Sequence, residues 1–173
     1  MDARGGFFFQ ARIIDQKGKV IKLHSDKKWR VAQATAWDSK TMHRQKDHTI
    51  GMRERYDARL AFEAWEKSSF NDSEWERAKE IGVPPMEPWN QMVVVKRERL
   101  HYELLEPIKS WSTNGYKVYD FGKAITAFPG FTAIAAKAGL SITLGTGENL
   151  GSDSIPLMKD NVDYTDTYIT KKG

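Results

Sequence analysis

The sequence predicts an all-β fold: an antiparallel β-sandwich, jelly-roll-like, with long loops and at most short helical turns. Three observations carry that expectation. Short runs of β-favouring residues recur along the chain, separated by Gly, Pro and Asn turn signals. Asn114-Gly115 sits between two such runs, which is the strongest short-range hairpin signal. No stretch of ordinary helix length shows the 3.6-residue apolar period of an amphipathic helix.

In order along the chain, Phe7 to Ile14 is an apolar run closed by Asp15-Gln16-Lys17-Gly18, and Lys19 to Leu23 follows it. The two read as a hairpin. Trp29-Arg30-Val31 is a third short strand. Residues 32–55 are polar and without clean periodicity, the pattern of a long loop. Phe70-Asn71-Asp72-Ser73 is a turn signal that caps one helical turn over Glu74 to Lys79. Gly82-Val83-Pro84-Pro85 and Pro88 stop any helix there and set the expected boundary between a segment 1–85 and a segment 86–173. Beyond it, Met92 to Arg99 reads as a strand, and Trp111 pairs across Asn114-Gly115 with Tyr116 to Tyr119. Gly130 to Ala136, Leu140 to Leu144 and Asp166 to Thr170 complete the set of short strands.

Composition narrows the function classes. The 173 residues include no Cys, so disulfide scaffolds, thiolate metal sites and cysteine nucleophiles are excluded. There are 27 Lys and Arg against 23 Asp and Glu, a net charge of +4. Residues 1–100 hold 20 basic and 15 acidic side chains, so the mild excess belongs to that part. A dedicated nucleic-acid binder concentrates charge more strongly, and no nucleic-acid partner is expected. No apolar run approaches the ~20 residues of a membrane helix, so no membrane partner is expected. The start, Met1 to Gly6, is too short and polar before Phe7 for an export signal, and the compartment is left open.

Several constellations have a chemical and a bland reading. Thr143 to Gly151 resembles a dinucleotide fingerprint, but its third Gly is one position late and Glu148 would face the phosphate. A Gly-rich β-turn loop accounts for it, and no cofactor is expected. His43 and His48 flank Asp47, yet an i,i+5 spacing separates the imidazoles and Arg44, Lys46 and Arg53 oppose a cation. Asp160, Asn161, Asp163 and Asp166 crowd one segment without the spacing of a calcium loop, and no metal is expected. No Ser lies in a nucleophile elbow. Between Lys17 and Arg59 there are 12 basic and 5 acidic residues interleaved with Trp29, Trp37 and Tyr56. Such aromatics suit nucleic-acid bases or the apolar C–H faces of sugars, against the plainer reading of a solvated basic face. Trp37, Tyr56 and Trp89 are the candidates for sugar contact, because they stand beside polar loops.

An ordered set of motifs resembles the accessory β-sandwich region of bacterial α-L-rhamnosidases. These are Gly6 to Ile13 followed by Ser25-Asp26-Lys27-Lys28-Trp29-Arg30-Val31, then Glu54-Arg55-Tyr56-Asp57-Ala58-Arg59-Leu60, then Trp65 and Phe70-Asn71-Asp72-Ser73-Glu74-Trp75. Tyr119-Asp120-Phe121-Gly122-Lys123, Phe128-Pro129-Gly130-Phe131, Ala138-Gly139, Gly147-Glu148-Asn149-Leu150 and Thr165 to Ile169 follow in the family's order. Ala64 stands where the family usually has Gly, and Pro129 is inserted. The resemblance implies a non-catalytic module or fragment of a glycoside hydrolase whose catalytic carboxylates lie in a separate helical α/α barrel downstream. It also implies an excised segment lacking the strands that normally precede Phe7. The implied partners are that catalytic domain and a rhamnose-containing glycan. No catalytic residue is assigned to the chain itself. An independent carbohydrate- or partner-binding module and a basic nucleic-acid-binding β domain are the alternatives.

The motif residues have structural roles of their own. Asp57 and Arg59, two apart, form a semi-buried pair on one strand face. Asp120 and Asp166 accept backbone N–H bonds at strand ends, Gly122 and Gly130 permit turns, and Glu148 marks the loop motif. If the preceding strands are absent, Phe7 to Phe9 lie on an open edge, and a homodimer through that N-terminal edge is expected.

Overall fold

The computed structural model describes residues 5–44, 51–87, 89–90, 101–132, 134, 137–157 and 162–173. Among them the fold is all-β, with one 3-10 turn as its only helix. The chain divides into two compact units, one of residues 1–33 and 64–100, the other of residues 34–63 and 101–173.

In the first unit, β1 (Gln10–Ile14) and β2 (Val20–His24) form the expected antiparallel hairpin, with Ile13 opposite Ile21. The Asp15 carboxylate closes its turn by accepting the Lys17 and Lys19 backbone N–H groups, each at 2.9 Å. Phe7 and Phe9 pack on Trp29, with centroids 5.8 and 5.5 Å from the indole, and Trp29 donates its Nε1–H to the His24 carbonyl. β3 (Arg30–Val31) is the third expected strand, and it pairs with β5 (Glu76–Arg77).

That pairing corrects the helical turn expected over Glu74 to Lys79. The Asn71 side chain does set a turn, accepting the Ser73 N–H at 3.1 Å. However, the Arg30 guanidinium donates to the Ser73 and Trp75 carbonyls at 2.9 and 2.8 Å. Those oxygens are then taken by a side chain 43 and 45 positions away and not by a following helical turn. Trp29 O accepts the Ala78 N–H instead, and the segment continues as strand.

The second unit is organised by a three-stranded sheet in the order β4 (Arg55–Asp57), β9 (Thr165–Ile169), β8 (Ser141–Gly145). β8 and β9 are antiparallel, but β4 and β9 run parallel, with Tyr56 opposite Tyr168. β6 (Lys109–Thr113) and β7 (Tyr116–Asp120) form a separate hairpin. Its turn has positive φ at both Asn114 (47°) and Gly115 (82°), the geometry that a two-residue hairpin loop requires. At Gly122, φ is 73°, a left-handed conformation that favours glycine.

The polar stretch 32–55 carries no strand before β4 among its described residues. It is nevertheless tied down at Trp37, which bridges Tyr56, and at His43, which bridges Met52. The strand expected over 130–136 is absent at Gly130–Thr132 and at Ile134, which have no ladder pairing. Ala133, Ala135 and Ala136, and the expected strand Met92–Arg99, lie outside the described residues.

Few side chains are buried among the described residues: Ala36, Ala58, Val118, Val162, Ile169 and Thr170. Four of these lie in or beside the three-stranded sheet's strands β4 and β9: Ala58, Val162, Ile169 and Thr170. Thr170 is only 2% exposed, and its hydroxyl donates to the Lys137 carbonyl at 3.0 Å while accepting the Leu140 N–H at 3.1 Å. Two arginines fasten the preceding loop to the same strand. Arg44 bonds the Asp166 carboxylate and reaches the Asp163 and Thr165 carbonyls, and Arg53 pairs with Asp163. The Thr165 hydroxyl and N–H also donate to Asp163, and with Arg53 they hold its carboxyl below the ordinary 3.8.

Two outcomes follow. Thr170→Val should lower unfolding stability by about 1 kcal/mol, because two part-buried hydrogen bonds of the hydroxyl are lost, while Thr170→Ser stays close to wild type. Chemical denaturation of the three proteins measures this. For Asp163, the folded value lies below the unfolded one, so its contribution is fully present above about pH 4 and is lost as pH falls through the folded value. Denaturation midpoints followed from pH 6 to pH 2 should fall less steeply in Asp163→Asn than in wild type; parallel curves would contradict the assignment.

Candidate functional site: an aromatic rung across the second unit

The register of the three-stranded sheet sets aromatic side chains in a row. In β4, Tyr56 and Asp57 point to opposite faces because strand side chains alternate. Tyr56 is opposite Tyr168 of β9, which in turn is opposite Ile142 of β8. On the other edge of β4 the backbone at Trp37 pairs with Tyr56, through Asp57 N–H to Ala36 O at 2.8 Å and Asp38 N–H to Arg55 O at 3.0 Å. One rung thus crosses the sheet as Trp37, Tyr56, Tyr168 and Ile142.

The rings touch in sequence. Trp37 meets Tyr56 edge-on at 4.8 Å, Tyr56 stacks on Tyr168 at 5.8 Å and 20°, and Phe131 meets Tyr168 edge-on at 5.7 Å. These are the separations at which aromatic pairs attract beyond their area burial. Both ends are open to solvent, with Trp37 50% and Phe131 47% exposed. A cleft of about 290 Å³ lined by Pro129, Gly130, Phe131 and Tyr168 lies at the Phe131 end.

Ion pairs flank the backbone of β4 and follow β9. Asp57 ends β4 and caps the 3-10 turn Ala58–Leu60, accepting the Arg59 N–H at 3.1 Å. The Arg59 guanidinium then returns a two-pronged bond to the same carboxylate, at 2.8 and 2.6 Å. The pair therefore forms through a turn and not along a strand face, as two-residue spacing alone had implied. Arg59 lowers the Asp57 pKa from its ordinary value, and Asp57 raises that of Arg59. Lys171 bonds Glu63 at 2.8 Å; this pair lowers the Glu63 pKa and raises that of Lys171, whose ammonium also feels the Tyr168 and Tyr56 phenols. Arg55 pairs with Asp38 at 3.4 Å.

Glycosidic cleavage needs a carboxylic acid held protonated by a raised pKa. Asp57, Glu63 and Asp163 are shifted the other way, each fixed as an anion by hydrogen-bond donors and cations. What the rung offers is flat apolar area with the Lys171 ammonium near two of its phenols, the chemistry that receives the C–H face of a ring-shaped polar ligand.

Of the aromatics singled out from sequence, the rung unites Trp37 and Tyr56. Trp89 belongs to the first unit, where its backbone bridges Met86 and its ring lies against Gly6. Asp120 accepts the Gly122 N–H at 2.7 Å just after β7. Asp166 accepts the Glu54 N–H at 2.7 Å and joins the second unit's distant segments. Gly130 lines the cleft, and Glu148 is exposed in the loop after β8. That loop folds back on itself, with Leu150 bridging Pro156, and begins no helix. Among the described residues no three His, Asp or Glu side chains converge on a metal site, and no helix is long and apolar enough to cross a membrane. His48, Asp160 and Asn161 lie outside them. Sequence reasoning missed Tyr168, Phe131 and Lys171. Tyr168 stood in an alternating run and Phe131 in a Pro-Gly motif, but only the parallel register joins them to Tyr56.

Comparison with known proteins bears on the whole arrangement. No curated protein and no solved structure matches the chain. Residues 1–109, which include β1 to β5 and the Trp37–Tyr56 half of the rung, match the family model of the alpha-L-rhamnosidase N-terminal domain. The chain belongs to the alpha-L-rhamnosidase N-terminal domain family.

Proposed function

We propose that this chain serves as a non-catalytic β module of an α-L-rhamnosidase-like glycoside hydrolase, working beside a catalytic domain and touching glycan through the aromatic rung. The observation that carries the reading is the contiguous row Trp37, Tyr56, Tyr168 and Phe131 ending in an open cleft. The family assignment supports a place in a rhamnose-handling enzyme. The sugar class is a rhamnose-containing oligosaccharide, whose apolar ring face and 6-methyl group suit flat aromatic area.

A nucleic-acid role has less support. Arg44, Arg53, Arg55 and Arg59, four of the cations in the basic stretch, are each engaged by an aspartate. Phosphate contact would have to displace those partners, and the electrostatic gain of counterion release depends on free cations.

Binding through an open platform is expected to be weak, in the millimolar range, because little of the ligand is desolvated. Titration with rhamnose-bearing oligosaccharides should change the tryptophan fluorescence of the wild type. Trp37→Ala and Phe131→Ala should each weaken binding about five- to tenfold, the effect of roughly 1 kcal/mol of ring contact. Both residues are about half exposed, so the fold should survive either change. Trp89→Ala should leave the affinity unchanged. Absence of any response at millimolar sugar, or equal loss in Trp89→Ala, would overturn the glycan role.

A further inference from the structure

The β1–β2 hairpin carries an unusual charge arrangement. Its register sets Arg12 directly opposite Lys22. Ser25 N–H bonds Phe9 O and Asp15 N–H bonds Lys19 O, so the odd-numbered rungs are the hydrogen-bonded ones. The Arg12–Lys22 rung is then a non-hydrogen-bonded one, where cross-strand side chains lie closest. Like charges directly opposite one another are destabilising. Both are exposed, and no acid among the described residues pairs with either. The Asp15 carboxylate at the hairpin turn is spent on the Lys17 and Lys19 N–H groups.

The same geometry defines an edge of β1 that no strand among the described residues occupies. At non-hydrogen-bonded rungs the N–H and C=O groups of Gln10, Arg12 and Ile14 point away from β2. The opposite face of the ribbon is apolar and solvent-facing, with Ile13, Ile21 and Leu23 each at least 40% exposed. A central cation is also a device that blunts an edge. One cation is enough for that, however, and a facing pair adds repulsion without adding protection. A second copy of the chain is a poor occupant, since antiparallel pairing centred on this edge sets Arg12 against its own counterpart.

We propose that the outer edge of β1 receives an extended peptide segment of apolar–acidic–apolar pattern as a third strand, its acidic side chain opposite Arg12. Such a strand satisfies the open backbone groups, answers the Arg12–Lys22 repulsion with a charge-assisted fork to the guanidinium, and lays its apolar residues beside Ile13 and Ala11. Specificity resides in the central charge, because the backbone bonds are sequence-blind.

The test uses the full chain and two blocked five-residue peptides, Thr-Val-Glu-Val-Thr and Thr-Val-Lys-Val-Thr, followed by amide NMR shifts. The glutamate peptide is expected to shift the Gln10, Arg12 and Ile14 amides at millimolar concentration, at least tenfold more tightly than the lysine peptide. Arg12→Glu should reverse that preference. Lys22→Glu, which pairs with Arg12 inside the hairpin, should weaken the glutamate peptide several-fold while raising hairpin stability. Several results would overturn the proposal: no binding by either peptide, equal binding by both, or shifts confined to other residues. An oligogalacturonate shifting the same amides when the glutamate peptide does not would also overturn it, in favour of an anionic glycan.

Discussion

Strand β9 is hydrogen-bonded along both edges, and the second unit depends on that single five-residue segment. One edge takes β8, its nearer neighbour in sequence, in an antiparallel ladder. The other takes β4, from more than a hundred positions earlier, in parallel. Remove β9 and no ladder among the described residues joins Trp37 and Tyr56 to the β8 side of the rung. Ile169 and Thr170, at its C-terminal end, are among the few buried residues of the described part, so the strand anchors packing as well as pairing.

Electrostatics reinforces the same strand. Asp163 and Asp166 receive Arg53 and Arg44, which tie their own segments to the sheet, and Asp166 also takes the Glu54 N–H. Exposed ion pairs are individually worth little. Here they act together with backbone acceptors, since Arg44 also bonds two carbonyls of the same segment. A structure with so few buried side chains relies on ladder bonds and such fastenings more than on a large apolar interior. The aromatic rung is a consequence: its rings gather because β9 sets the register, and they stay partly open because no further layer covers them within the described residues.

Local features were legible in the sequence and distant ones were not. The β1–β2 and β6–β7 hairpins close through turns of their own, and Asn114-Gly115 announces the second because both residues accept positive φ. The strand at Glu76–Arg77 was misread as helix because the deciding group, Arg30, lies on another strand and claims the carbonyls that a helix would have used. Trp37 and Tyr56 could be singled out by their polar surroundings, yet their contact with Tyr168 and Phe131 requires a parallel pairing that no local pattern encodes. The Asp57–Arg59 pair was readable from spacing, but its route through a 3-10 turn was not. The family resemblance supplied the broad class, and the ladder geometry supplied the site.

The dependence of the second unit on β9 is tested most directly by amide hydrogen exchange on the intact chain. Backbone bonds that open only with the whole unit exchange slowest, and peripheral pairs exchange by local fraying. The account predicts that the amides of Thr165 to Thr170 are the slowest in the second unit, outlasting those of the β6–β7 hairpin. A β6–β7 hairpin that remains protected after β9 has exchanged would contradict it.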